Sequence, residues 1–240
     1  MTNSTKEANI IKELENFDTP TVTNAVATYP DAETCLKLYS QWEDNWYTDQ
    51  NLRVMFPSLG RTCGYAVTCV YGLPEDRPGN APSFGDLLHA IDDSPKPVIV
   101  IIKQNFPERL KAKVGLCGGN MTTAFKSMGC VGVISDGPSR DLDELSELGV
   151  QYMLTGTSAG HGPMVPHAIN VPVNVSGMDV CTDEIVHMDI NGAVKFPRKY
   201  LKEVLENCRL IAKNEEIKMK MMASSDDADL IAEYMKGNYK

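Results

Sequence analysis

The sequence predicts an α/β protein in which short strands lie between helical segments at both ends of the chain. Three observations support this class. A fully apolar run, residues 97–102, is typical of a strand buried on both faces of a parallel sheet. Apolar residues recur at helical spacing near the N-terminus and again over residues 199–222. Several β-rich segments follow one another over residues 151–196, which favours many short strands over a clean doubly wound sheet.

The elements follow in order along the chain. Ile10, Ile11, Leu14 and Phe17 share one face of a helix predicted over residues 5–16. The run Asp18-Thr19-Pro20-Thr21 supplies capping residues for a second helix at 22–28. Later helices are predicted at 86–91, 121–128, 142–148, 199–222 and 228–235. Strands are predicted at 64–71, 97–102, 131–135, 151–154, 171–175, 178–181, 185–188 and 193–196, with a hairpin turn at Asp189-Ile190-Asn191-Gly192.

Composition bounds the organisation and the function class. The 240 residues, of which 42% are hydrophobic, suffice for one large domain, with a helical region at 1–57, an α/β core at 58–197 and C-terminal helices at 198–240. A net charge of −9 argues against an electrostatic nucleic-acid binder. No apolar run is long enough for a membrane span, and the seven scattered cysteines predict reduced thiols. We therefore expect a cytoplasmic protein.

The section from Tyr29 to Pro57 is rich in aromatic residues and has no clear periodicity. Tyr39, Trp42, Trp46, Tyr47 and Phe56 could form a lid. A structural insertion or an oligomer contact is the other interpretation, and it is the one we favour.

The stretch from Val114 to Leu148 carries the candidate site. The turn Gly118-Gly119-Asn120 precedes a helix, and the unpaired N–H groups at a helix N-terminus favour an anion. A second turn, residues 136–141, follows a strand, where open α/β sheets tend to hold ligand groups. In it, Arg140 could hold a carboxylate or oxo oxygen and Asp141 could hold a divalent cation. Both turns flank one strand-and-helix unit, so they can face one pocket.

Ordinary structural roles are open for the same residues. Glycines before a helix are common turn residues. Asp141 could cap the helix that follows it, and Arg140 could pair with Asp143 or Glu144 on that helix.

The four histidines give a weaker signal. His161 and His167 could be interpreted as metal ligands, but loop histidines at this spacing are more often solvent-facing or packing residues. His89 and His187 lie in predicted regular structure and indicate no site.

The run Lys126 to Asp141, KSMGCVGVISDGPSRD, resembles the signature of the RraA-like family. That family contains metal-dependent pyruvate aldolases, acting on 4-hydroxy-4-methyl-2-oxoglutarate and 4-carboxy-4-hydroxy-2-oxoadipate, and the regulator of ribonuclease activity A. Supporting similarities lie in residues 17–25, 60–68, 170–173 and 189–197. The resemblance implies a ββα sandwich similar to the swivelling phosphohistidine domain, assembled as trimers or hexamers with active sites between subunits.

The resemblance also implies roles for particular residues. Asp141 occupies the position of the acid that binds a divalent metal, Mg²⁺ or Mn²⁺, and Arg140 that of the arginine that holds the oxo acid and its enolate. The acid contributed by the neighbouring subunit's C-terminal helix corresponds best to Glu216, with Glu215 as the next match. The residues that would bind the substrate are Gly118, Gly119, Asn120, Met121, Thr122, Thr123 and Arg140.

One position departs from the aldolase pattern. Where the aldolases carry an acid in the glycine-rich turn, this sequence has Gly119, followed by Asn120. An amide cannot act as a carboxylate base, so decarboxylation, which needs no such base, or a different substrate gains weight against aldol cleavage.

These observations favour a metal-dependent lyase that acts through pyruvate enolate. It would cleave a 4-hydroxy-2-oxo di- or tricarboxylic acid, or decarboxylate oxaloacetate. The alternative is a non-catalytic regulator that binds a ribonuclease or another protein. The pair Arg140-Asp141 argues against that alternative, because the regulator type lacks the acid after the arginine.

Overall fold

The computed structural model describes residues 3–29 and 34–238. Within them the chain forms eight α-helices, and short 3₁₀ turns precede some of the longer elements. The helices are α1 (Asn3–Leu14), α2 (Thr19–Val26), α3 (Phe84–Asp93), α4 (Glu108–Lys111), α5 (Gly119–Ser127), α6 (Leu142–Leu148), α7 (Leu201–Ala223) and α8 (Ala228–Met235).

The described strands form an eight-stranded mixed sheet and a separate two-stranded ribbon. The large sheet has the order β1-β5-β4-β3-β2-β9-β10, with β6 also paired to β2, and the ribbon is β7-β8. The strands are β1 (Arg53–Val54), β2 (Thr62–Gly72), β3 (Val98–Asn105), β4 (Cys130–Ser135), β5 (Gln151–Leu154), β6 (Val165–Ile169), β7 (Val173–Val175), β8 (Met178–Val180), β9 (Ile185–Asp189) and β10 (Gly192–Phe196).

Four parallel strands at the centre of the sheet position the candidate site. β2, β3, β4 and β5 pair in sequence order and in parallel. The connections between them contain α3, then α4 and α5, then α6. Because each crossover steps to the next strand in the same direction, these helices share one face of the sheet. The turns before α5 and α6 therefore lie together at the carboxyl ends of β3 and β4.

Three apolar clusters hold the layers together. The first packs α3, α5 and α6 on one face of the parallel strands, through residues such as Ile91, Phe125 and Leu145. On the opposite face the β7-β8 ribbon covers Ile99 and Ile101. The third cluster joins α1, α2 and α7 to the antiparallel strands β9 and β10. The site thus lies on the helix-covered side of the sheet, away from the terminal helices.

The structure confirms the α/β class and most of the predicted elements. α6, α8 and β5 have the predicted bounds. Asp18 caps α2, since its Oδ1 accepts a 2.9 Å hydrogen bond from the Thr21 amide. The predicted hairpin is present, with β9 and β10 joined after Asp189. The likeness to the swivelling phosphohistidine domain stays a prediction.

Several boundaries differ from the sequence prediction. α1 and α2 begin earlier than predicted, and α5 begins at Gly119, so the second and third residues of the glycine-rich turn belong to its first turn. A 3₁₀ turn at Arg198–Tyr200 precedes the long C-terminal helix. Strand β6 was not predicted at all.

The aromatic section favours the structural interpretation over a lid. Residues 30–33 of this section lie outside the described part of the chain. Trp46 is buried and stacks on Tyr39 with a centroid distance of 5.3 Å. Phe56 packs in the cluster under α5, whereas Trp42 is exposed. Trp46 and Phe56 therefore belong to the core and Tyr39 packs against it, whereas Trp42 and Tyr47 lie at the surface.

No disulfide joins any of the seven cysteines, which all lie within the described residues, and Cys181 alone among them is exposed. Within residues 3–29 and 34–238, no helix combines the length and hydropathy that crossing a bilayer requires.

Candidate functional site

Two turns meet where β3 and β4 end, and hydrogen bonds tie them to each other. The amide of Leu116 donates to the carbonyl oxygen of Pro138 over 2.9 Å, and the Ser139 hydroxyl donates to the Cys117 carbonyl over 3.0 Å. Ser139 is fully buried, so the second bond is shielded from water. The glycine-rich turn and the Arg140-Asp141 turn therefore form one rigid unit.

A buried polar cluster on the core side of α5 fixes the position of its first turn. Cys117 has a left-handed φ of 58°, and its carbonyl accepts from the Tyr152 hydroxyl over 3.1 Å. The same hydroxyl lies 2.5 Å from Thr122 Oγ1. Burial raises the pKa of the Cys117 thiol to about 11, so this cysteine is a buried structural residue and not a thiolate nucleophile.

Asp141 does not cap its own helix, although it stands at the N-cap position of α6. Its backbone is left-handed, with φ 61° and ψ 38°. Its Oδ2 accepts a 3.1 Å hydrogen bond from the Gly119 amide at the start of α5. This bond, supported by Arg140, lowers the pKa of the Asp141 carboxyl. The carboxylate is therefore held ionised at the positive end of a neighbouring helix.

Arg140 pairs with Asp141 and not with the helix surface. Its Nε donates to Asp141 Oδ1 over 3.0 Å, and the structure shows no pair with Asp143 or Glu144 among the described residues. The two terminal Nη groups of Arg140 have no acceptor among the residues that the structure describes. They are available for an anionic ligand.

The glycine-rich turn gives the site its second group of donors. With Gly118 as N-cap, the amides of Asn120 and Met121 have no partner inside α5. Gly118 and Gly119 also leave room for carboxylates. A Cβ on Gly118 would lie 2.3 Å from Asp141 Oδ2, and one on Gly119 would lie 2.0 Å from Glu144 Oε2.

Two of the predicted substrate-binding residues need a correction. Thr122 is fully buried, and its amide already donates to the Gly118 carbonyl within α5. The Thr123 hydroxyl donates to the Gly119 carbonyl over 2.8 Å. Both residues therefore support the turn from within the helix and present no free donor to a ligand.

A pocket of about 220 Å³ joins the two turns. Most of the predicted binding residues border it, as does His161. Gly119 is not in its wall, but its amide holds Asp141. The lining residues are Gly115, Gly118, Asn120, Met121, Arg140, Asp141, His161 and Met164.

The two loop histidines differ in position. His161 is exposed at the pocket wall, with its Nδ1 2.6 Å from the Gly162 carbonyl oxygen. His167 is buried in β6 and contacts the Leu73 carbonyl through Nε2 over 2.9 Å. The packing interpretation therefore holds for His167, and His161 belongs to the pocket.

Glu144 is a candidate residue that the sequence interpretation assigned only to a surface pair. Its Oε2 lies over Gly119, in the space that a side chain at that position would occupy. Both Glu144 and Asp141 therefore place a carboxylate at the first turn of α5.

The structure does not bring Glu216 to this pocket within one chain. Glu216 is exposed on α7, where it forms a 2.5 Å ion pair with Lys220. That pair lowers the pKa of the Glu216 carboxyl. Glu215 borders a different surface pocket, near Asn24 and Ile211. A role for either acid requires a neighbouring subunit.

Comparison with known proteins supports the similarity seen in the sequence. A family model described as RraA-like, Aldolase/RraA, matches residues 20–195. An uncharacterized protein of Methanocaldococcus jannaschii is 28% identical over 123 residues, which are 50% of this chain and 59% of that protein. The match thus spans somewhat more than half of the relative's length.

Solved structures share the fold at low sequence identity. An uncharacterized protein from Pseudomonas syringae pv. tomato has a TM-score of 0.70 at 16% identity, covering 96% of this chain and 94% of the other. RraAS2 of Streptomyces coelicolor, described as an unusual member of the RNase ES inhibitor RraA family, has a TM-score of 0.67 at 20% identity, covering 88% and 96%. At these identities the likeness is one of fold.

Proposed function

We propose that this chain, which belongs to the RraA-like (Aldolase/RraA) family, is a divalent-metal-dependent lyase that acts through pyruvate enolate. The observation that carries the proposal is one pocket in which an ionised carboxylate, a guanidinium and free helix-terminal amides converge. These groups would act on a 4-hydroxy-2-oxo acid, on oxaloacetate, or on both.

The residues present fit a hard cation with few protein ligands. Asp141 lines the pocket with 26% of its side chain exposed, and each carboxylate oxygen has a lone pair beyond its one hydrogen bond. The described residues contain no cluster of three or more His, Cys, Asp or Glu side chains suited to a metal. Mg²⁺ or Mn²⁺, bound through one or two carboxylates and water, fits this set better than Zn²⁺. When bound, the cation would polarise the 2-oxo group as a Lewis acid.

The chain's own groups would hold the pyruvate half of the substrate. The Asn120 and Met121 amides, at the positive end of α5, would accept the carboxylate. The Arg140 Nη groups would donate to the 2-oxo oxygen and stabilise the negative charge that develops on it. The Arg140 side chain is about one-third exposed, so a bound substrate would also remove water from this pair.

Cleavage then requires a defined movement of electrons and one proton. The C3–C4 bond breaks, its electron pair forms the enolate, and the 4-hydroxyl loses a proton to become the carbonyl of the second product. The enolate takes up a proton at C3 to give pyruvate. In oxaloacetate the same bond electrons are released with loss of CO₂, and no hydroxyl proton has to leave.

We assign the hydroxyl proton to Glu144. Its carboxylate lies over Gly119, beside the amide that holds Asp141. An acid at this place would supply the base that Gly119 and Asn120 cannot. With Glu144 as the base, the lack of an acid at Gly119 no longer favours decarboxylation over aldol cleavage.

A test of the function measures pyruvate release from oxaloacetate and from a panel of 4-hydroxy-2-oxo acids, with Mg²⁺ or a chelator. We expect metal-dependent release above the metal-only background. Arg140→Gln should lower kcat about 100-fold, because a charged donor to the enolate is lost. Arg109→Gln, at an exposed arginine outside the site, is the control and should match the wild type. A folded protein that releases no pyruvate would support the non-catalytic regulator instead.

A further inference from the structure

A second pocket, of about 350 Å³, adjoins the candidate site. Met121 and Met164 line both pockets, so these two side chains form the wall between them. Beyond that wall the second pocket is bordered by Tyr71, Phe84 and Val165, with the exposed Arg77 among its lining residues. We name it the side pocket.

The chemistry of the side pocket differs from that of the site. Its walls are largely carbon, and methionine side chains can adjust to the shape of a ligand. Arg77 is exposed, and its Nη2 donates to the carbonyl oxygens of Ala81 and Pro82, which holds this one nitrogen against its own loop. The carbon-rich wall therefore favours an apolar group.

Tyr71 lines the side pocket, but its hydroxyl oxygen is itself buried. The residue is 2% exposed, and its hydroxyl has no hydrogen-bond partner among the described residues. A buried hydroxyl without a partner costs about 1–3 kcal/mol. Burial also raises the pKa of Tyr71, so the hydroxyl stays protonated and is a donor without an acceptor.

We propose that the side pocket binds the group carried by C4 of the substrate, and that this group is an aromatic ring or a branched alkyl chain. The inference rests on the proposed lyase and narrows its substrate class. The pyruvate half would lie between Arg140 and the α5 amides, and the C4 group would pass between Met121 and Met164. A cavity of about 150 Å³ already admits benzene, so the side pocket has room for such a group.

This assignment changes the substrate expected from the sequence. A di- or tricarboxylic acid would place a second carboxylate against the carbon wall, where its desolvation would be poorly compensated. A monocarboxylic 4-hydroxy-2-oxo acid with a bulky C4 group buries apolar surface there instead. The second product would be an aromatic or branched aldehyde or ketone.

The test fills the side pocket without touching the site. Val165 borders the side pocket only, so Val165→Trp should lower kcat/KM for 4-hydroxy-2-oxo-4-(4-methoxyphenyl)butanoate by about 10-fold or more. Oxaloacetate decarboxylation, which needs no side pocket, should stay within about 2-fold. Val171→Trp, a half-buried valine outside both pockets, is the matched control.

Each outcome decides a separate claim. The side-pocket assignment would be overturned, while the lyase stands, if Val165→Trp lost kcat/KM equally for both substrates or for neither. A wild type that prefers a dicarboxylic 4-hydroxy-2-oxo acid would also overturn it. A wild type that decarboxylates oxaloacetate but cleaves no bulky substrate would do the same. A wild type that acts on none of these substrates would overturn the lyase and the inference together.

Discussion

At the residue scale, the backbone of Asp141 explains how a surface carboxylate becomes a defined ligand. A left-handed conformation at a non-glycine residue is uncommon and costs on the order of 1–3 kcal/mol. Here it turns the side chain away from α6, so that Oδ2 reaches the Gly119 amide 3.1 Å away. Because the pKa of this carboxyl is lowered, the group stays ionised in mild acid. Protons should therefore compete with a metal at Asp141 only at a lower pH than they would at an ordinary aspartate.

Replacement of Glu144 separates the two reactions of the proposed lyase. Glu144→Gln keeps the shape of the side chain and removes its basicity, so aldol cleavage should fall by about 100-fold. Oxaloacetate decarboxylation requires no hydroxyl proton transfer and should change little. Steady-state kinetics of both reactions measure this. Glu147→Gln, on the same helix and exposed, is the control. Equal losses in both reactions would remove Glu144 from the role of base.

A buried histidine makes stability depend on pH. His187 is fully buried, its Nδ1 lies 3.0 Å from Thr19 Oγ1, and burial lowers its pKa to about 4. Between pH 6.5 and 4, His187 is protonated in the unfolded chain but mostly neutral in the folded chain. The free energy of unfolding therefore falls as the pH falls through this window. The loss should approach about 3 kcal/mol at pH 4.

Urea denaturation at several pH values measures that loss. His187→Asn should show a shallower decline than the wild type over the same window, because asparagine does not titrate. His89→Asn, on α3, is the control. Parallel declines in His187→Asn and the wild type would assign the pH dependence to other groups.

The sequence predicted some site residues and could not predict others. Arg140 and Asp141 lie together in a short motif, so their pairing follows from chain proximity. The position of Glu144 over Gly119 depends on how α6 packs beside α5, and the unpartnered Tyr71 hydroxyl depends on contacts from distant segments. Such distances are properties of the packed structure and leave no local pattern.

At the element scale, the first turn of α5 works as a donor group only because it carries no side chains near Asp141. Gly118→Ala keeps an allowed backbone, since the φ of Gly118 is −74°, but its Cβ would lie 2.3 Å from Asp141 Oδ2. The carboxylate must move away from α5. We expect Mg²⁺ affinity to fall by about 10-fold, with little change in the unfolding temperature.

Calorimetric titration with Mg²⁺ measures this effect. Gly160→Ala, in a nearby loop where a Cβ would meet nothing within 4 Å, is the matched control and should bind Mg²⁺ like the wild type. Unchanged affinity in Gly118→Ala would show that the cation does not depend on the position of Asp141.

The same scale shows which elements local patterns can predict. α6 and β5 have strong apolar periodicity and clear turns on both sides, so their bounds agreed with the prediction. β6 was missed because Pro166 and His167 interrupt the pattern, and the strand forms through antiparallel pairing with β2, about a hundred residues earlier in the chain. Since Val165 and Pro166 line the side pocket, that pocket was beyond prediction too.

At the scale of the whole molecule, the α/β class followed from the order of strands and helices, whereas the assembly did not. We propose a trimer or hexamer in which α7 of one subunit brings Glu216 to the Asp141 pocket of the next. Apolar side chains exposed on the last two helices, such as Leu210 and Ile217 on α7 and Met235 on α8, fit a surface covered by another copy.

Mixing two inactive variants tests the shared site. Asp141→Asn and Glu216→Gln should each be nearly inactive alone. Refolded together at random, they should recover about a quarter of wild-type activity, because some sites receive both intact residues from different subunits. Glu206→Gln, at another exposed glutamate of α7, should be active alone. Full activity of Glu216→Gln alone would exclude Glu216 from the site.

The most direct test of the central claim uses pyruvate itself, because it does not depend on the identity of the second product. The measurement is deuterium incorporation into the pyruvate methyl group in D₂O, followed by proton NMR, with Mg²⁺ or a chelator. We predict exchange above the metal-only rate in the wild type and in Asp143→Asn, and loss of that excess with chelator or in Asp141→Asn. Exchange at the background rate in the folded wild type, or undiminished exchange in Asp141→Asn, would contradict a pyruvate-enolate lyase centred on Asp141.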